Sequence, residues 1–184
     1  MKEIRLHGRG GQGVVKASQI IVKAAVSGGI YGQFIPFFGV ERKGSPVFGY
    51  LRLSEEPIRR KMQIYEPDAL IIMDDSLIPL PATYDGLKEN GVVMINTTKA
   101  LEDLRLPKSA ASVATVDASG ISEDLIGRNI PNTAMLGAFC KVYGEQIGID
   151  RDLLFGEIEA AFGEKNRLAA EKAYNTVNIT EICY

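Results

Sequence analysis

Four glycines fall within six positions, Gly8-Arg9-Gly10-Gly11-Gln12-Gly13, and no other part of the chain concentrates as much potential chemistry. Gly8, Gly10 and Gly13 are spaced as G-x-G-x-x-G. Glycines at this spacing let backbone N–H groups close on a pyrophosphate at the positive end of the following helix. Arg9 and Gln12 add side-chain donors suited to an anionic group. The same run also fits a plainer need, a tight strand-to-helix turn with positive φ. A complete NAD site adds an aspartate or glutamate about 20 residues further on to hold the ribose hydroxyls. Residues 28–38 carry no carboxylate, which weighs against a free NAD site. Contact with an anion, or with the edge of a cofactor owned by another chain, stays open.

Other residues pair a chemical reading with a structural one. Glu41-Arg42-Lys43-Gly44 is a solvated hairpin tip, or a docking and phosphate-contact element. Asn132-Thr133 opens a helix, where capping is the common role of such residues. Asp74-Asp75 follows a strand, where α/β proteins place binding groups, but adjacent strand side chains point oppositely, which disfavours a paired-carboxylate site. His7, the single histidine, reads as a hydrogen-bonded structural imidazole beside the glycine loop rather than a ligand or base. The two cysteines, Cys140 and Cys183, are too few for a thiolate-ligated iron–sulfur cluster, which takes about four, and form no CxxC pair. Cys140 lies in an apolar stretch and reads as a small buried hydrophobe.

The elements that must position these groups alternate between strand and helix. Residues 3–7 alternate charged and apolar as a strand, and Val14, Ala17, Ser18, Ile21, Ala24 and Ala25 recur at helical spacing up to Gly28-Gly29. Residues 30–53 read as two strands around a polar, glycine-containing turn. Ala69-Leu70-Ile71-Ile72-Met73 and Val92-Val93-Met94-Ile95-Asn96 are short apolar runs, as expected of parallel strands covered on both faces, and 112–117 repeats the pattern more weakly. Between them, Pro79–Asn90 is predicted to be a helix stopped by Gly91 in the left-handed region. Beyond about residue 119 the texture turns helical: Asn129 caps a helix with Pro131 near its first turn that runs to about Gln146, Asp150 caps a second that Gly163 ends, and a third carries Ala169, Ala170, Ala173, Tyr174 and Val177. The expected architecture is a single α/β domain over residues 1–184, three-layered and Rossmann-like, with a mainly parallel sheet and a helical C-terminal third.

Composition bounds the function. A chain of 184 residues is one domain at about 150 residues each, with roughly 70% of its unfolded surface to bury. Hydrophobic residues make up 46% and the net charge is −2, so the chain is globular and lacks the basic excess of a nucleic-acid binder. The start has no apolar signal region and no apolar run reaches the roughly 18 residues of a membrane span. A reducing cytoplasm is the expected setting.

Three motifs, taken in order, resemble the gamma subunit of 2-oxoacid:ferredoxin oxidoreductases: Gly8–Gly13, then Phe38-Gly39-Val40-Glu41-Arg42-Lys43-Gly44-Ser45-Pro46, then Ile130-Pro131-Asn132-Thr133-Ala134-Met135-Leu136-Gly137-Ala138. The middle motif looks like the pyruvate or ketoisovalerate form rather than the E-x-R-G-G of the 2-oxoglutarate branch. The resemblance implies a heteromeric enzyme that oxidatively decarboxylates a 2-oxoacid to an acyl-CoA and sends electrons to ferredoxin. Thiamine diphosphate, Mg and [4Fe-4S] clusters would lie in alpha, beta and delta partners, and this chain would bind no cofactor alone and carry no catalytic residue. Gly8, Arg9, Gly10, Gly11, Gln12 and Gly13, with Glu41, Arg42, Gly44 and Asn132, are the candidates for lining the approach of the cofactor or CoA. The competing readings are a stand-alone NAD(P)-type oxidoreductase, with Arg42 or Lys43 on a 2′-phosphate, and a ligand-free interaction module.

Overall fold

The computed structural model describes residues 1–37 and 45–182. Its elements run β1 (Lys2–Arg9), α1 (Val14–Ser27), β2 (Tyr31–Phe37), β3 (Pro46–Ser54), β4 (Ala69–Ile72), β5 (Gly91–Asn96), β6 (Ala110–Val116), α2 (Ala118–Ile126), α3 (Asn132–Phe139), α4 (Arg151–Phe162), α5 (Glu164–Thr176) and β7 (Asn178–Glu181). The strands form one seven-stranded sheet in the order β2-β3-β1-β4-β5-β6-β7. Its centre, β1-β4-β5-β6, is parallel, and antiparallel pairs flank it on both sides. All four residues of β4 are buried, as a parallel strand covered on both faces requires.

The two faces are covered differently. On one, α1 lays Ala17, Ile21 and Ala24 over Ile4, Leu6 and Leu51, and α3, α4 and α5 extend that core through Phe139, Leu154 and Ala170. On the other, Leu70, Ile72, Val93 and Ile95 pack beneath Leu77, Ile78, Tyr84 and Leu87, which come from loops with short 3-10 turns. The three layers are therefore helices, sheet and a layer of turns.

The segment predicted to be a helix at Pro79–Asn90 is that turn layer. Pro79 and Pro81 remove amide donors a helix would use, and only Pro81–Thr83 forms a 3-10 turn. The left-handed residues of the segment are Gly86 (φ 73°) and Asn90 (φ 63°), and Gly91 opens β5 instead of stopping a helix. The cap of α3 is Pro131, not Asn129, and past Phe139 the helix continues through a π turn, Cys140–Gly144, and a 3-10 turn, Glu145–Ile147. Asp150 caps α4 as expected, its carboxylate accepting from the Leu153 N–H at 2.8 Å. Beyond Thr176 the chain leaves the helix, and Asn178–Glu181 pairs with β6 as an edge strand.

Candidate functional site

The glycine loop emerges from the carboxyl end of β1, at the edge where β4, β5 and β6 also end. Gly8 and Arg9 are the last residues of β1, and the Gly10 N–H donates to the Ser45 carbonyl at 3.0 Å. Gly11 (φ 99°) and Gly13 (φ 84°) hold left-handed backbone that an L side chain rarely adopts. Among the described residues, a Cβ at Gly11 would meet nothing within 4 Å, so the crown of the loop is open on that side. Gly13 is the N-cap of α1, and no side chain caps that helix or places an acid in its first turn. The start of α1 is therefore an electropositive end of backbone N–H groups.

Asn132, the first residue of α3, packs directly on Gly13: a Cβ there would stand 2.9 Å from the Asn132 side-chain carbonyl carbon. Its own Oδ1 accepts from the Thr133 N–H at 2.8 Å. The first turn of α3 also lacks an acid and a side-chain cap. The first and third sequence motifs, more than a hundred residues apart, thus bring two helix N-termini together. Glu41, Arg42, Lys43 and Gly44 lie outside the described residues.

The two polar side chains of the loop are not directed outward. Gln12 Oε1 accepts from the Arg9 N–H at 2.7 Å, and its amide Nε2 donates to Asp74 Oδ2 at 2.6 Å. The Arg9 guanidinium donates through Nε and Nη2 to Ser76 Oγ at 3.0 and 2.7 Å, and lies 3.6 Å from Asp74 Oδ1. The Ser76 N–H and hydroxyl both donate to Asp74 Oδ1. Burial pushes the Asp74 carboxyl up, but the hydrogen bonds from Ser76 and Gln12, with the charge of Arg9, outweigh it and hold the carboxyl below its ordinary value. Asp74 stays ionised and has no proton to give at neutral pH.

Beside the loop is a cleft of about 270 Å³ lined by Gln12, Asp74, Asn96, Thr97, Asp117 and Ser119. Asn96, at the end of β5, donates to the Met73 carbonyl and to Ser119 Oγ, both at 2.9 Å, and so ties β4 to the start of α2. Carboxylates, hydroxyls and amides of this kind suit a hydroxyl or amide N–H of a ligand, while the helix ends suit its anionic part. Such groups can bind and orient a ligand, and none of them is placed to act as a nucleophile. A larger, shallow cleft of about 1120 Å³ lies at the opposite edge, by the start of β1, with Lys2, Glu56, Arg59, Arg60 and Glu145 on its walls.

The remaining candidates are structural. His7 is buried, its Nε2 accepts from Arg5 Nε at 2.9 Å, and its ring meets Phe48 edge-on. Burial, and then the charge of Arg5, push its pKa down to about 3, so the imidazole is neutral. Cys140 is buried, and chiefly for that reason its thiol is pushed up to about 12. Cys183 lies outside the described residues. Asp75 diverges from Asp74: it starts a 3-10 turn and pairs with Lys99 at 3.0 Å. Among the described residues, no group of three or more His, Cys, Asp or Glu side chains could hold a metal ion, and no helix is long and apolar enough to cross a membrane. Sequence reasoning does not find Ser76, Asn96 and Asp117 as parts of this site, and it marks Asp74 only by its position just past an apolar run, where α/β proteins place binding groups.

Fold and loop together define a Rossmann-like α/β protein with a glycine-rich strand-to-helix turn at the carboxyl edge of its parallel strands. The family model described as pyruvate ferredoxin/flavodoxin oxidoreductase matches residues 3–176. The "Pyruvate/ketoisovalerate oxidoreductases common subunit gamma" of Thermococcus kodakarensis is 44% identical over 99% of this chain and 100% of its own length. "Pyruvate synthase subunit PorC" of Methanothermobacter marburgensis is 45% identical over 95% of this chain and 96% of its own. The crystal structure of the Thermotoga maritima pyruvate oxidoreductase subunit PORC superposes with a TM-score of 0.84 at 34% identity, covering 98% of each chain. A 2-oxoglutarate:ferredoxin oxidoreductase from Magnetococcus marinus, 18% identical, shares the fold with a TM-score of 0.75 over 95% of this chain and 30% of its own. The chain belongs to the pyruvate ferredoxin/flavodoxin oxidoreductase family, as a gamma-type subunit of the 2-oxoacid:ferredoxin oxidoreductases.

Proposed function

We propose that this chain, acting as one domain, completes a cytoplasmic complex with alpha, beta and delta subunits that oxidises pyruvate or a related 2-oxoacid. In that reaction the acid loses CO2, its acyl group passes to CoA as the thioester, and the electron pair leaves for ferredoxin. Thiamine diphosphate and Mg, which would supply the carbanion chemistry, and the [4Fe-4S] clusters belong to the partners. The gamma chain supplies structure and one wall of the cleft. Its Gly8–Gly13 loop, Asn132 and the Glu41–Gly44 segment line the approach of CoA or of the partner-held cofactor.

The observation that carries this reading is the contact of Gly13 with Asn132. It unites two of the three family motifs at a pair of helix starts that carry no acid in their first turns, a surface suited to the phosphates of CoA. The stand-alone NAD(P) alternative is not favoured, since whole-length relatives are subunits.

The test is Gly11→Val in the co-expressed complex. A β-branched residue at φ 99° costs on the order of 1–3 kcal/mol and must reshape the crown of the loop. The complex should assemble, with a raised KM for CoA. Unchanged assembly, CoA kinetics and turnover would refute the assignment. Calorimetric titration of the isolated chain with NADH and NADPH addresses the alternative, which micromolar binding would revive.

A further inference from the structure

The polar side chains of the glycine loop are held by a residue that none of the three motifs contains. Arg9 and Gln12 look in sequence like anion donors, yet both turn onto the end of β4. The contacts close into a ring: Gln12 to Asp74, Asp74 to Ser76, Ser76 to Arg9, and the Arg9 N–H back to Gln12. The ring clamps both sides of Gly10-Gly11, and the positive charge of Arg9 is met by Asp74 at 3.6 Å. The open side of the loop is then the crown at Gly11.

We propose that Asp74 is the positioning residue of the glycine loop. It holds Arg9 and Gln12 against β4, so that the N–H groups of the crown and of α1, rather than the guanidinium, meet the ligand. The inference rests on the reading that this loop lines the approach of CoA or the partner's cofactor. Both carboxylate oxygens of Asp74 are acceptors, Oδ2 for Gln12 and Oδ1 for Ser76. An asparagine must therefore turn an amide donor toward another donor. The swap of Asp74→Asn with Gln12→Glu reverses one hydrogen bond and restores the set: Asn Oδ1 accepts from Ser76, Asn Nδ2 donates to the new carboxylate, and that carboxylate still accepts the Arg9 N–H.

The experiment compares the assembled complex carrying Asp74→Asn, the double swap Asp74→Asn/Gln12→Glu, or Gly11→Val. It reads KM for CoA, KM for the 2-oxoacid and kcat at saturating CoA. Loss of a charge-assisted hydrogen bond predicts about a tenfold rise in KM for CoA with Asp74→Asn, with the KM for the 2-oxoacid and kcat within about twofold of the parent. The double swap should return KM for CoA to within about twofold of the parent. If Gly11→Val raises KM for CoA while Asp74→Asn does not, the loop reading stands and the role of Asp74 is overturned. If Asp74→Asn raises it and the swap fails to restore it, Asp74 does not act through Gln12 and the inference falls. Failure of the Asp74→Asn complex to assemble would place Asp74 in the fold instead and overturn its positioning role. If both single variants leave KM for CoA unchanged, the loop reading fails and takes this inference with it.

Discussion

Gly137→Ala tests how closely two helices of the C-terminal third are packed. Gly137 lies in α3 against α5, and a Cβ there would stand 2.6 Å from the Ala170 carbonyl carbon, 2.8 Å from its Cα and closer still to its oxygen. Carbon atoms rest at about 3.5–4 Å, so one methyl group drives the helices apart by about 1 Å. Every obstructing atom is backbone, and no side chain can rotate away. The seam around it, with Ala134, Ala138, Ala169 and Ala173 all buried, loosens as it opens. Overpacking costs about 1–3 kcal/mol, and a rigid obstacle places this case at or above the top of that range. The gain in helix propensity from glycine to alanine, about 1 kcal/mol, offsets part of it. The net loss is about 2 kcal/mol, which for a chain of this length lowers Tm by roughly 4–8 °C. Thermal denaturation of parent and variant, followed by circular dichroism and checked by urea titration, measures it. An unchanged or higher Tm would refute the packing argument. The expected result would also mean that the glycine of the third motif serves packing, whereas Asn132 of the same motif serves the loop.

Two further predictions concern buried charge. His7 refuses in the folded chain a proton that it binds when unfolded below about pH 6.5, because its folded pKa is about 3. Its contribution is thus complete above about pH 6.5 and falls by about 1.4 kcal/mol per pH unit towards pH 3, which makes about 2 kcal/mol by pH 5. Urea titrations at pH 7.5 and 5 should show a smaller loss for His7→Gln than for the parent, and equal losses would sink the idea. Arg52, 1% exposed, binds Glu3 at 2.8 Å and reaches the Gln63 carbonyl and the Gln33 amide oxygen. Arg52→Met should cost about 3 kcal/mol by urea titration, and adding Glu3→Gln should recover part of it, since most of the loss is the stranded carboxylate. A double variant as unstable as the sum of the single ones would contradict this.

The central elements were legible because each carries its environment in its own residues. Alternation marks β1, unbroken apolar runs mark β4 and β5, and Asp150 and Gly163 bracket α4. The helix expected at Pro79–Asn90 failed because Leu77, Ile78, Tyr84 and Leu87 are buried on the sheet as single anchors from turns, a pattern that mimics helical spacing. β7 was invisible for the opposite reason: Asn-Ile-Thr-Glu is mostly exposed, and only pairing with β6 makes it a strand. At the site, the glycines and Asn132 could be named from their types. Their contact, and the bonds that Asp74 makes with the loop from just beyond the neighbouring parallel strand, depend on topology that local sequence does not encode.

That topology also sets a schedule for synthesis. β1 is made first but sits third in the sheet, and its neighbours come from residues 46–54 and 69–72. Gln12 and Asp74 are 62 residues apart. A nascent chain cannot close the ring around its glycine loop until about residue 76 has left the ribosome, and until β3 and β4 arrive β1 offers unpaired backbone and the side chains of Ile4 and Leu6 to its surroundings. Distant contacts of this kind slow folding. The same early segment that carries the glycine loop is the one a chaperone would have to guard while the chain grows.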